Sequence, residues 1–202
     1  VVGIASMVRD APDLRELSLI GCFRLNLAVK RYLSTLSELI KIDLSKCNQC
    51  ESKSFQAMFR GCKKLQELIV NDCGDGIDAN CFKTLAANCP DMKTIIAHRC
   101  PKIYGPALQH IAKCEHLEKL DVTGCPAITD VCLLPLTEIG NVPGLINLTV
   151  VKCKELTDTA LAWVSNGCAD KLLIFSFKGT GITESSSRAV RDMFAYCDMI
   201  FN

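Results

Sequence analysis

The stretch Leu117 to Leu134, LEKLDVTGCPAITDVCLL, is one copy of a phrase that returns along the whole chain. Seven units align on an opening residue at Leu14, Leu39, Leu65, Met92, Leu117, Leu145 and Leu172, at intervals of 25, 26, 27, 25, 28 and 27. Self-similarity on this scale leaves few architectures open. Each unit is one supersecondary piece that cannot bury its own apolar face, so neighbouring units must stack on one another.

Within a unit, apolar residues follow the opener three and five positions later, as in Ile42/Leu44, Leu68/Val70, Ile95/Ala97 and Leu120/Val122. That alternation predicts a short strand with one buried face. Eight positions after the opener stand Cys22, Cys47, Cys73, Cys100, Cys125 and Cys153, with Thr180 in the seventh unit. The period then changes. Thr129–Asp130, Thr157–Asp158 and Thr183–Glu184 read as helix starts, with the threonine as N-cap and an acid in the first turn. Leu156, Ala160, Leu161 and Val164 fall at helical spacing. Each unit therefore reads strand, turn, helix, turn.

The phrase, seen in LEKLDVTGCPAITD, LINLTVVKCKELTD, LQELIVNDC, LIKIDLSKC and LRELSLIGC, resembles the cysteine-containing class of leucine-rich repeats. A second cysteine of that pattern stands three residues before an opener at Cys62, Cys89 and Cys114; it slips to Cys168 before unit seven, and Val142 replaces it before unit six. The expected fold is an α/β leucine-rich-repeat solenoid of about seven repeats over residues 1–202. Its parallel sheet lines the concave face and its helices the convex face, because a helix is wider than a strand and the stack must curve. Residues 1–13 read as the end of an upstream unit's helix, since Ala11–Pro12–Asp13–Leu14 parallels Cys89–Pro90–Asp91–Met92. Cys197 is expected to close the last helix and Ile200 to open an eighth strand. Neither end shows a polar cap, as in a segment of a longer solenoid or one with short non-standard caps. Unit five is irregular, with Pro135 inside its helix and a turn-rich end at Gly140–Asn141–Val142–Pro143–Gly144.

Composition narrows the function. With 23 basic and 22 acidic residues the net charge is +1, so no global field favours nucleic acid or an anionic membrane, and no nucleic-acid partner is expected. No apolar run approaches the roughly 18 residues of a membrane span. The opening VVGIASMVRDAPDL lacks a basic leader before a long apolar core, so no secretory leader is expected. Most of the fourteen cysteines recur at fixed repeat positions, where a buried thiol serves as a small hydrophobe. Reduced thiols in a cytoplasmic or nuclear setting follow.

Nothing in the chain points to chemistry, and neither enzyme activity, cofactor nor metal is expected. Cys47–Asn48–Gln49–Cys50 lacks the second pair or histidines of a zinc site, and Cys50 fills the apolar slot held elsewhere by Leu25, Ile103, Ile128 and Leu156. Cys132 takes the small core position of Ala107 and Ala160, and Cys81 joins it if unit three carries one extra residue in its Gly-Asp-Gly turn. His110 and His116 read as helix and turn surface, Trp163 as the edge of the core, and Gly179–Thr180–Gly181 as the turn of unit seven. No HExxH, Gly-x-Ser-x-Gly or phosphate-loop pattern occurs.

Side chains between the buried strand positions must face the concave surface. The central column runs Ser18, Asp43, Ile69, Ile96, Asp121, Thr149 and Ser176. The column at the strand ends includes Asn71 and His98, and the column at the strand starts includes Glu16, Lys41, Glu67 and Thr94. Ile69 and Ile96 then lie side by side, flanked by Asp43 and Asp121, with Asn71, Thr94 and His98 around them. An apolar centre inside a polar rim is the make-up of a protein-binding hot spot. β-branched residues also stabilise strands wherever they lie, so both readings stand. Glu16, Lys41 and Glu67 read as a cross-strand charge ladder.

The expected role is protein recognition on the concave face. The resemblance implies the substrate-reading part of an F-box-type ubiquitin-ligase subunit; the F-box itself lies upstream of such repeats, and only 13 residues precede the first opener. The alternative is a structural subunit in a large multi-subunit assembly, ciliary, cytoskeletal or mitochondrial. An upstream F-box, or its absence, separates the two.

Overall fold

Each unit contributes only three residues of regular strand. In the computed structural model, which describes residues 2–22, 31–138 and 142–201, eight such strands form one parallel sheet in sequence order. They are β1 (Glu16–Ser18), β2 (Lys41–Asp43), β3 (Glu67–Ile69), β4 (Thr94–Ile96), β5 (Lys119–Asp121), β6 (Asn147–Thr149), β7 (Ile174–Ser176) and β8 (Asp198–Ile200). The middle residue of β2 to β6 is buried and its two neighbours are half-exposed, as the alternation predicts. The fold is a leucine-rich-repeat solenoid.

Helices Ser52–Phe59, Ala79–Asn88, Gly105–Ile111, Asp130–Thr137 and Asp158–Cys168 return the chain along the other side, and a helix at Val2–Asp10 precedes β1. Between the two layers runs one continuous core. Openers Leu39 to Leu172, the +3 and +5 strand residues from Ile42 to Phe177, and helix residues such as Phe55, Phe59, Phe82 and Leu161 are all at most 2% exposed. Phe175, Phe177, Phe194 and Phe201 continue it as a group of rings with centroids 4.8 to 6.0 Å apart.

The residue seven positions after each opener takes a left-handed conformation in all seven units. Gly21, Gly124 and Gly179 do so with φ near +70°, and Lys46, Asp72, Arg99 and Lys152 with φ of 52 to 62°. The reason lies between units. The backbone N–H of each such residue from Gly21 to Lys152 donates to the carbonyl one position earlier in the next unit, for example Asp72 to His98 and Arg99 to Thr123, at 2.7 to 2.9 Å. The turn away from the sheet thus keeps the inter-unit ladder intact at the expense of a strained residue.

The repeat cysteines have a direction as well as a volume. The thiols of Cys47, Cys73, Cys100, Cys125 and Cys153 donate to the +5 carbonyl of the preceding unit (Leu19, Leu44, Val70, Ala97 and Val122) at 3.1 to 3.5 Å. The second cysteine makes a parallel series. Cys62 reaches Leu33 O at 3.5 Å, Cys89 reaches Cys62 O at 3.3 Å, and Cys168 reaches Leu136 O at 3.3 Å. The fourteen cysteines are unbridged. Burial pushes the thiols of Cys62, Cys89 and Cys114 up to about 12 and those of Cys81, Cys100, Cys153 and Cys168 to about 11. They stay protonated near neutrality, which keeps the thiols of Cys62, Cys89, Cys100, Cys153 and Cys168 as donors.

The helix starts are also shared between units. Asp130 accepts from Thr157 N at 2.8 Å and Thr157 Oγ1 at 2.7 Å, and Asp158 accepts from Thr183 N and Oγ1 at 2.7 and 2.9 Å. The acid read as a first-turn residue of its own helix therefore also holds the next unit's cap. The Gly74–Gly76 turn is a 3-10 turn that carries the extra residue of unit three, and it leaves Ile77 and Cys81 buried in the expected columns. The Asp130–Thr137 helix continues only two residues past Pro135. Leu25 and the Ile139–Asn141 part of the turn after that helix lie outside the described residues.

The phase of the last unit needs correction. β7 pairs Ile174 with Asp198 and Ser176 with Ile200, so Ile200 closes the eighth strand rather than opening it. Met199 takes the buried-column position, half-buried, and Cys197 stands at the strand's entry. The unit is shortened because its helix is only Glu184–Ala189, followed by a 3-10 turn at Arg191–Phe194.

Candidate protein-recognition surface

The parallel register places all seven expected site residues on one face of β2 to β5 and the turns that follow. Lys41, Glu67, Thr94 and Lys119 form one row; Asp43, Ile69, Ile96 and Asp121 form the next. Ile69 and Ile96 are register partners, half-exposed, about 4.8 Å apart by strand spacing.

The polar residues around them are tied down. Asp43 Oδ1 accepts from Ser45 N at 2.9 Å, and Ser45 Oγ in turn accepts from Asn71 N at 3.2 Å. Asn71 Oδ1 accepts from His98 N at 2.8 Å, joining two adjacent units through one side chain. Asp121 Oδ1 takes Thr123 N at 3.0 Å and Thr123 Oγ1 at 2.7 Å. Its Oδ2 lies 2.9 Å from His98 Nε2, which is buried against it. His98 and Asp121 are 25% and 16% exposed, which leaves the pair largely desolvated.

Of the expected charge ladder, Lys41 and Glu67 form a pair at 2.9 Å, and Glu16 is in register with Lys41 without an ion pair. The hydrogen bond and charge of Glu67 raise the Lys41 ammonium above its ordinary value. One charged pair was not legible from the columns: Arg99 Nε and an outer guanidinium nitrogen meet both oxygens of Asp72 at 2.6 Å. The guanidinium holds the Asp72 carboxyl below the usual carboxylate range. Both residues are left-handed, so their side chains leave the sheet edge at the same angle; only the recurring +7 position in the sequence hints at it.

Elsewhere the side chains read as structure. Cys50 is 4% exposed in its core column and Trp163 is half-buried. His110 is half-buried and His116 exposed. Among the described residues no three His, Cys, Asp or Glu side chains are arranged to hold a metal ion, and no helix is long and apolar enough to cross a membrane.

No protein-family model matches the chain. Among curated proteins it is similar to F-box/LRR-repeat protein 4 of Bos taurus, with 26% identity over 133 residues, 65% of this chain and 21% of that protein. It thus spans about a fifth of that relative's length. Among solved structures it is similar to internalin C2 of Listeria monocytogenes, at TM-score 0.61 and 15% identity, covering 98% of this chain and 92% of that one. A chain of the yeast Rad7–Elc1 complex matches at TM-score 0.51 and 16% identity, covering 98% and 65%. These structural likenesses carry the fold. Together with the repeat phrase and the sheet register, they show a leucine-rich-repeat fold.

Proposed function

We propose that the protein is a recognition module that grips a protein partner on its concave face, centred on Ile69 and Ile96. The observation that supports this most is the register pairing of two half-exposed isoleucines flanked in their row by Asp43 and Asp121. A partner side chain seated there would be ringed by Asn71, Thr94 and His98. Burying an anchor of this kind typically supplies most of an interface's affinity.

The finer reading is that this surface selects substrates for an F-box-type ubiquitin ligase. The similarity to F-box/LRR-repeat protein 4 supports it. The same reading has the chain perform no reaction and work in a reducing compartment, in keeping with buried, unbridged thiols used as hydrogen-bond donors. The test is paired capture. Ile69→Asp and Ile96→Lys face outward and should leave the thermal midpoint within a few degrees, while partners captured by the unaltered chain are lost. Retention of every partner with an intact fold removes the concave site. Loss of stability with retention of partners makes the isoleucines structural.

A further inference from the structure

The helix side carries a second feature that the concave reading does not use. Three successive helices, Ser52–Phe59, Ala79–Asn88 and Gly105–Ile111, contain no carboxylate at all. Yet the convex surface they make is studded with exposed cations. Arg31, Arg60, Lys83 and Lys113 supply one from each of four successive units, and Lys53 adds a fifth. None of the five forms an ion pair among the described residues, whereas Lys41, Lys64, Arg99 and Arg188 elsewhere are paired.

Their placement is regular. Counted from the unit openers, and allowing for the extra residue of unit three, Arg31 and Lys83 share one row. Arg60 and Lys113 share the row one helical turn further on, so the four charges zigzag across the stack. Grooves between neighbouring helices open beneath them. One of ≈ 500 Å³ is lined by Arg31, Lys53 and Arg60, and one of ≈ 290 Å³ by Arg60, Lys83 and Asn88. Helix dipoles favour cations at the C-terminal ends, where Arg60 and Lys113 stand. They give no reason for Lys83, in the middle of its helix. The charge of Lys83 is felt locally: after burial, Lys113 and Lys83 are what hold the His110 imidazole below its ordinary value. The strip stops at unit five, where the equivalent position is Glu138.

We propose that this convex strip is a docking surface for an extended acidic segment of a partner protein, distinct from the concave site. Spacing and composition select that ligand. Packed helices lie about 10 Å apart, and an extended polyproline-II chain has three residues per turn and advances about 3.1 Å per residue, so acidic side chains at every third position line one face and meet one cation per unit. A nucleic-acid duplex offers one charge per ~1.7 Å, far denser than the strip, and a basic footprint for it ordinarily raises the whole domain's pI, here ≈ 7.5. The two grooves under the strip also lack any aromatic ring on which bases stack.

The test uses the full chain and a fluorescent twelve-residue peptide with glutamate at every third position among serines, followed by anisotropy at low and moderate salt. Binding that weakens with salt is expected, with an about tenfold loss in Arg60→Glu combined with Lys83→Glu. Lys102→Glu combined with Lys154→Glu changes net charge equally at exposed sites away from the strip and should leave affinity within about twofold. Circular dichroism checks the fold, and Arg60→Gln with Lys83→Gln replaces the reversal should it misfold. No binding of the peptide, an equal loss in the control pair, or tighter binding of a charge-matched uridylate oligomer or of anionic lipid vesicles would each overturn the proposal.

Discussion

Replacing Cys125 by alanine tests whether the repeat cysteine is kept for its hydrogen as well as its size. Cys125 is fully buried, and its thiol donates to Ala97 O at 3.1 Å, the one hydrogen bond that the described residues give this carbonyl. Alanine removes the donor and orphans a buried acceptor, a loss of roughly 1–3 kcal/mol. It also leaves a void of one heavy atom, worth about 1 kcal/mol more. The expected destabilisation is therefore about 2–4 kcal/mol. Two further variants split the sum. Cys125→Val fills the volume without a donor and should recover only the void contribution. Cys125→Ser keeps a donor in a smaller side chain and should rank above alanine. Urea unfolding followed by circular dichroism, with equal m-values across the set, reads the differences directly. The reasoning fails if valine is as stable as cysteine, because the thiol would then be packing and nothing else.

The left-handed turn residues make a second, opposite-signed prediction. Lys152→Gly relieves a positive φ of 58° and should stabilise by about 0.5–1 kcal/mol after the glycine entropy cost, whereas Gly124→Ala should cost about 1–2 kcal/mol. In the second case the new Cβ also comes within 3.1 Å of Arg99 Cγ. Thermal melts of both variants decide it. A third prediction concerns acid. The backbone N–H of Thr183, with its hydroxyl and that of Ser186, holds the Asp158 carboxyl below its ordinary value of 3.8. Its contribution is thus fully present above that value and is lost as pH falls through the depressed one. The difference in melting temperature between the native chain and Asp158→Asn should be constant near neutrality and shrink toward zero below pH 3.8; a difference that stays constant in acid rules the linkage out.

The repeat made most of the concave face legible before any coordinates. Once the apolar residues at +3 and +5 are hidden, alternation leaves only one way for Asp43, Ile69, Ile96 and Asp121 to point, and equal phase in successive units puts them in one row. The core cysteines were legible for the same reason, including Cys81 once its unit's extra residue was allowed for. The last unit was misread because Cys197 and Ile200 imitate the usual cysteine-to-opener interval. The real phase is set by Phe194, which packs on Phe175 at 5.9 Å, and by the pairing of β8 with β7.

What the sequence by itself determined is the period, the buried columns and hence the solenoid, since these follow from local alternation repeated at constant phase. Only the tertiary structure decided where each thiol donates, that Asp130 and Asp158 cap their successors, and that Lys46, Asp72, Arg99 and Lys152 sit left-handed. All of these are relations between residues some 25 to 30 positions apart in the chain. Their partners are chosen by how one unit seats on the next, a geometry that no window shorter than the repeat contains.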